Sequence, residues 1–233
     1  MADVSLTWLG HATFRVDTPG GKRIYVDPWL GNPKCPDDER EPERVDAIVL
    51  THAHDDHLGE TIELAKTFEC PVYAVVELRG WLANQGLPFD PAQALNKGGT
   101  TKLDGFALTF TDAKHSSSVF EGDLPVYMGE PAGIVLRFDD GPNVYFAGDT
   151  CVFGDMSLIG RLYKPDVAVL PIGDHYTMGP DEAAVATELL GATKMIPCHW
   201  GTFPLLTGTP EACRKLISGC EVLAMQPGET VTL

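Results

Sequence analysis

The 233-residue sequence predicts an α/β fold made of two similarly patterned halves, and three features carry that expectation. Short apolar strands joined by tight turns open the chain, the pattern of an antiparallel sheet edge. A strand and helix alternation follows residue 45 and recurs after residue 155, as parallel strands with covering helices require. Between these stretches, residues 100–147 read as hairpins. The length suffices for one unit with an ample core, so residues 1–233 are expected to form a single domain.

Strands are predicted over residues 4–9, 12–17 and 22–27, with Asp17-Thr18-Pro19-Gly20-Gly21 as the turn between the second and third. Residues 28–45 concentrate Pro and charge and read as a surface loop. The apolar run Ala47-Ile48-Val49-Leu50 is expected to be a buried strand. Residues 58–68 place Leu58, Ile62, Leu64, Ala65 and Phe68 at helical spacing, followed by a strand over 72–76 and a short helix over 77–84. Strands follow at 100–103, 106–111, 133–138 and 143–147, with Asp139-Asp140-Gly141-Pro142 turning the last pair. Residues 116–132 interrupt this regularity and are expected to be a loop that starts near His115 and walls a pocket. The remaining helices are predicted at 155–163, 180–190 and 210–217, the strands at 167–171 and 194–197, with two short strands at the end.

Composition bears on partners and compartment. Thirty-three acidic against 17 basic residues give a net charge of −16, without a Lys/Arg cluster. Such a polyanion lacks the electrostatic footprint of a nucleic-acid binder, and an anionic membrane repels it. No run of 18 apolar residues suggests a membrane span, and Met1-Ala2-Asp3-Val4-Ser5-Leu6 lacks the basic and apolar segments of a secretory signal, so the cytoplasm is expected. The six cysteines have no Cys-x-x-Cys spacing, and most read as small buried hydrophobes rather than a disulfide framework or zinc finger. A small-molecule substrate and a possible homo-oligomer are the expected partners.

Chemistry concentrates in Thr51-His52-Ala53-His54-Asp55-Asp56-His57, directly after the apolar strand. Imidazole nitrogen and carboxylate oxygen suit Zn, Mn or Fe, and one ion does not easily take His52, His54, Asp56 and His57 together from so short a loop; two metals are suggested. The His-x-His-x-Asp-His pattern after a hydrophobic strand resembles the signature of the metallo-β-lactamase superfamily. Its other signposts follow in order: His115 in Ala113-Lys114-His115-Ser116, Asp149 in Phe146-Ala147-Gly148-Asp149-Thr150, and His199 in Pro197-Cys198-His199-Trp200. Trp8-Leu9-Gly10-His11-Ala12-Thr13, Val26-Asp27-Pro28 and Leu170-Pro171-Ile172-Gly173 look most like the cytoplasmic branch of metal-dependent hydrolases. That branch is similar to ascorbate-6-phosphate lactonases and, more distantly, to N-acyl-phosphatidylethanolamine phospholipase D.

The resemblance implies a four-layer αββα sandwich with metals at the shared strand ends. It assigns His52, His54 and His115 to one divalent ion and Asp56, His57 and His199 to the other, with Asp149 between them and Zn ahead of Mn or Fe. It implies a hydrolase in which a bridging hydroxide cleaves a phosphodiester or a lactone/ester bond, with Asp56 and Asp149 at the reacting centre. Asp27 is expected behind the ligands, fixing a histidine tautomer, or as a plain turn residue. His11 divides between substrate contact and a structural use, and Asp55 between a helix-capping carboxylate and a proton shuttle. His175, in Gly173-Asp174-His175-Tyr176, is the candidate leaving-group acid, with Asp174 beside it. The competing classes are a non-catalytic metal-binding or sensing protein and a redox diiron protein. The second normally carries a Glu where His54 stands and a fused flavodoxin-like domain.

Overall fold

A computed structural model describes residues 3–233; Met1 and Ala2, the first residues of the stretch read for a secretory signal, lie outside the described residues. The first sheet is built from β1 (Ser5–Trp8), β2 (Phe14–Asp17), β3 (Arg23–Val26), β4 (Ala47–Val49), β5 (Val72–Val75) and β6 (Ala94–Leu95). The second contains β7 (Thr100–Leu103) and β8 (Phe106–Asp112), then, past a separate hairpin of β9 (Ser118–Glu121) and β10 (Leu124–Tyr127), β11 (Ala132–Phe138), β12 (Asn143–Phe146), β13 (Val167–Pro171), β14 (Lys194–Cys198) and β15 (Glu221–Val222). The last strand, β16 (Thr230–Thr232), returns to the first sheet and pairs antiparallel with β1, Leu6 opposite Val231.

Each sheet is antiparallel on one side and parallel on the other. The first runs β16-β1-β2-β3-β4-β5-β6 and turns parallel from β3 onward; the second runs β15-β14-β13-β12-β11-β8-β7 and is parallel from β12 to β15. The alternation of side chains along a strand separates two cores. Ile134, Leu136, Val167 and Val169 join Leu6, Phe14, Val16, Ile24 and Val26 between the sheets. Their neighbours Val135, Ala168 and Leu170 face the other way, onto Met156 and Ile159 of α4 (Met156–Tyr163), Ala183, Ala186 and Leu190 of α5 (Pro180–Leu190) and Cys213 of α6 (Pro210–Leu216). On the first sheet, α2 (Thr61–Phe68) packs on β4 and α3 (Val76–Asn84) on β5. The arrangement is the expected αββα sandwich.

Three local features differ from the sequence expectation. The helix predicted over 58–68 is divided: α1 (Asp55–Leu58) closes at Gly59, and α2 begins two residues later. Gly59 has φ 43° and ψ −130°, and a Cβ there would lie 2.4 Å from the Pro28 carbonyl oxygen, so the chain must turn where side-chain periodicity runs on unbroken. The segment expected as a loop is the β9–β10 hairpin, turned at Gly122-Asp123; its exposed Phe120, Leu124 and Tyr127 hide the buried-and-exposed alternation that marks a strand. Two-residue β6 was not foreseen, being too short to show a period.

Gly59→Ala is expected to lower unfolding stability by at least about 2 kcal/mol in urea titration, since left-handed strain and backbone overlap act together.

Candidate metal centre

The strands that carry the motif residues end on one edge of the sandwich. His11 follows β1, Asp27 follows β3, His52 to His57 follow β4, His115 follows β8, Asp149 follows β12 and His199 follows β14. β1, β3 and β4 run in the same direction in one sheet, as do β8, β12 and β14 in the other. Loops at the carboxyl ends of strands therefore face one another across the sandwich.

Asp27 sets the histidine tautomers. Its Oδ1 accepts from Thr51 N at 2.8 Å, and its Oδ2 accepts from Thr51 Oγ1 at 2.6 Å and from His57 Nδ1 at 2.8 Å. Having donated its hydrogen, Thr51 Oγ1 is the acceptor for His52 Nδ1 at 3.0 Å. A neutral His52 and a neutral His57 thus both carry their hydrogen on Nδ1 and present the bare Nε2. Ser116 Oγ, 3.3 Å from His54 Nε2, leaves the opposite nitrogen, Nδ1, 3.1 Å from His52 Nε2. Ser117 Oγ accepts from Ala53 N at 3.2 Å and holds the same loop. These two serines hold the histidine loop in place, and in the sequence only their position beside His115 points to them.

Two clusters result. The ligand atoms of His52, His54 and His115 lie within 4.8 Å of one another, as do those of His11, Asp56, His57 and His199. Asp149 Oδ2 stands between, 3.6 Å from His115 Nε2 and 4.0 Å from His52 Nε2 on one side, 3.3 Å from His57 Nε2 and 3.1 Å from His199 Nε2 on the other. The Nε2 of His57, both ring nitrogens of His199 and Asp149 Oδ1 are buried without a hydrogen-bond partner. Orphaned polar atoms of that kind cost about 1–3 kcal/mol each unless something pairs them, and a divalent cation suits this donor set. Asp27, His52 and His57 also converge, but the carboxylate of Asp27 is already committed to three donors.

Protonation fits ligation. Burial pushes His52 well below the usual histidine range, and burial first of all lowers His54 and His115, which favours the neutral form a metal needs. Burial opposes the charge on Asp149, but His199 and His57 outweigh it and hold the carboxyl well below the usual carboxylate range. Burial likewise opposes a charged His57, yet Asp149 and Asp27 on either side raise it well above a free histidine. A cation bound there takes the place of a proton, so binding strengthens as pH rises.

His11 is completely buried, which removes direct substrate contact. Its Nε2 is 3.0 Å from Asp56 Oδ2 and its Nδ1 3.0 Å from Thr202 Oγ1. Burial, with His199 nearby, lowers its pKa to about 4, so the neutral ring donates to Asp56 and accepts from Thr202. Burial opposes ionisation of Asp56, but this bond and the charge of His57 keep it below the ordinary carboxylate range. Asp55 is exposed in the first turn of α1 and caps nothing, the N-cap being His54; its charge suits the helix N-terminus. His175 lies outside both clusters. It is exposed, with φ 58° after Asp174 at φ 65°, its backbone N donates to Asp174 Oδ1 at 2.7 Å, and its ring stands edge-on to Tyr176. The loop bearing it is tied to the strand end carrying Asp149, through Met178 N to Thr150 O at 3.0 Å. A cavity of about 400 Å³ opens beside His115, lined by Ser116, Tyr127, Glu130 and Pro131 among others, so the β9–β10 hairpin supplies the pocket wall expected there.

The family model of the β-lactamase superfamily domain matches residues 22–200. A UPF0173 metal-dependent hydrolase of Herpetosiphon aurantiacus is 50% identical, aligned over 100% of this chain and 99% of its own length. Another, from Koribacter versatilis, is 47% identical over 97% of each. Among solved structures, Igni18, a metallo hydrolase from Ignicoccus hospitalis, superposes with a TM-score of 0.87 at 36% identity, covering 99% of this chain and 98% of its own.

Replacing Asp27 with Asn releases the tautomer lock on His57. Competition with a chromogenic chelator is expected to show metal affinity falling about 10- to 100-fold, with an unchanged far-ultraviolet circular dichroism spectrum.

Proposed function

This chain belongs to the UPF0173 metal-dependent hydrolases of the β-lactamase superfamily, and from that premise we propose a dinuclear enzyme that cleaves a phosphodiester or a lactone/ester bond of a small molecule. The observation that carries the reading is Asp149, set between two histidine clusters, with the Nε2 of His57 and both ring nitrogens of His199 buried and unpaired beside it. His52, His54 and His115 would hold one ion, Asp56, His57 and His199 the other, with Asp149 placed to serve both. Zn is the first choice, and the donor set also accepts Mn or Fe. Two such ions, when bound, activate water near neutral pH and polarise the substrate carbonyl or phosphoryl oxygen.

The protein's own groups do the rest. Asp27 and Thr51 keep the Nε2 lone pairs of His52 and His57 aimed inward. His11 fixes the Asp56 carboxylate from behind. The cavity beside His115 receives the substrate, with the exposed Tyr127 on its rim. The His175 imidazole, on a loop tied to Thr150, delivers a proton to the leaving group. A net charge of −16 supports a small-molecule substrate over nucleic acid or an anionic bilayer, and no helix among the described residues is long and apolar enough to cross a membrane.

The test is hydrolysis of bis(p-nitrophenyl) phosphate and of a lactone panel before and after chelation. Chelator-sensitive turnover restored by Zn or Mn is expected, and the preferred substrate decides the bond cleaved; turnover indifferent to chelation contradicts the reading. In the same assays His175→Gln is expected to slow esters of poor alkoxide leaving groups about 100-fold while sparing p-nitrophenyl esters, which leave without an acid.

A further inference from the structure

A second cavity, about 460 Å³ in volume, lies on the outer side of the first sheet and is bordered by Ala65, Lys66, Glu69, Cys70, Val72 and Arg79, with Leu87 and Pro88 among its other walls. It borders the start of β5, whereas the histidines leave the end of the parallel strand β4, so the two sites occupy opposite ends of the sheet. Arg79, on α3, is only 1% exposed. Its Nε and Nη2 donate to Gln93 Oε1 at 3.3 and 3.1 Å, and Nη2 also donates to the Pro88 carbonyl. Nη1 is buried without a partner, and among the described residues no ion pair involves this guanidinium. Asp90, in the same loop, accepts from Ala92 N at 2.9 Å and Gln93 Nε2 at 3.5 Å; its charge acts on Arg79 through space, without an ion pair between them.

A buried cation without an anion in contact is costly, more so than a neutral group that would clip the 88–93 loop equally well. From these observations we propose that the cavity is a binding site for a small organic monocarboxylate, its carboxylate pairing with Arg79 and its apolar body lying against Ala65, Val72, Leu87 and Pro88. A guanidinium matches carboxylate geometry, and the volume falls in the range of about 300–1,000 Å³ typical of small-molecule sites. Lys66, exposed at the rim with its Nζ on Gln85 O at 2.9 Å, adds a second positive charge in a chain that is otherwise strongly acidic. Glu69 at the same rim disfavours a dianion, which selects a monocarboxylate over inorganic phosphate.

Titration of the metal-loaded full chain with hexanoate, with inorganic phosphate as the comparison, tests the proposal. Saturable hexanoate binding that protects Cys70 from thiol labelling, read by peptide mass spectrometry, is expected, with phosphate competing poorly. Arg79→Gln is expected to weaken that binding about tenfold or more while chelator-sensitive hydrolysis continues, and Lys66→Glu, on the exposed rim, to weaken it about fivefold. If Arg79→Gln fails to fold, Lys66→Glu and the labelling of Cys70 decide. Absence of saturable binding, binding that leaves Cys70 labelling unchanged or is unaffected by these substitutions, or phosphate binding as well as hexanoate overturns it.

Discussion

Asp27 accepts three hydrogen bonds, from Thr51 N, Thr51 Oγ1 and His57 Nδ1, and a carboxylate can do nothing but accept. That direction propagates. It fixes the Thr51 hydroxyl, which receives the hydrogen of His52 Nδ1, and so one buried side chain orients imidazoles belonging to both histidine clusters. Asp27 takes this place with φ 48° and is 1% exposed, a backbone geometry and a burial that an aspartate at a simple surface turn does not need. The ion pair with His57 repays part of the cost of burying the carboxylate, and the metal proposed beyond it repays more.

The sandwich makes this arrangement possible by bringing two strand edges face to face. Loops after β1, β3 and β4 meet loops after β8, β12 and β14, and each loop is anchored at a strand that is itself largely buried. Cross-links join the halves at the site. His199 N donates to His11 O at 2.9 Å and Ala132 N to Thr51 O at 2.9 Å. Gly148, before Asp149, has φ 62°, and a Cβ there would lie 2.8 Å from Thr51 Cβ. The glycine lets the second sheet's carboxylate approach the first sheet's histidine loop, and the centre forms where the halves meet rather than within either one.

Much of this was legible in the sequence because ligand chemistry and strand periodicity are local. The dense His/Asp run after Ala47 to Leu50 is visible without any tertiary information, and so are the later His115, Asp149 and His199 once the family resemblance orders them. The rest depended on distant contacts. Nothing near His11 in the chain reveals that Asp56, 45 residues away, takes its Nε2. The grip of Ser116 on His54 spans 62 residues, and the β9–β10 hairpin escaped because its apolar side chains face solvent where pattern reading expects polar ones. Arg79 sits in the short helix α3, and its burial comes from the 85–93 loop folding back over it, a contact that nothing local in the sequence marks.

Elemental analysis of purified protein reconstituted with Zn or Mn, repeated on Asp149→Asn, bears most directly on the shared centre. About two ions per chain in the parent protein, and markedly fewer when Asp149 no longer carries charge, are expected for clusters joined by one carboxylate. One ion or fewer in the parent, or an unchanged count in the variant, would contradict it.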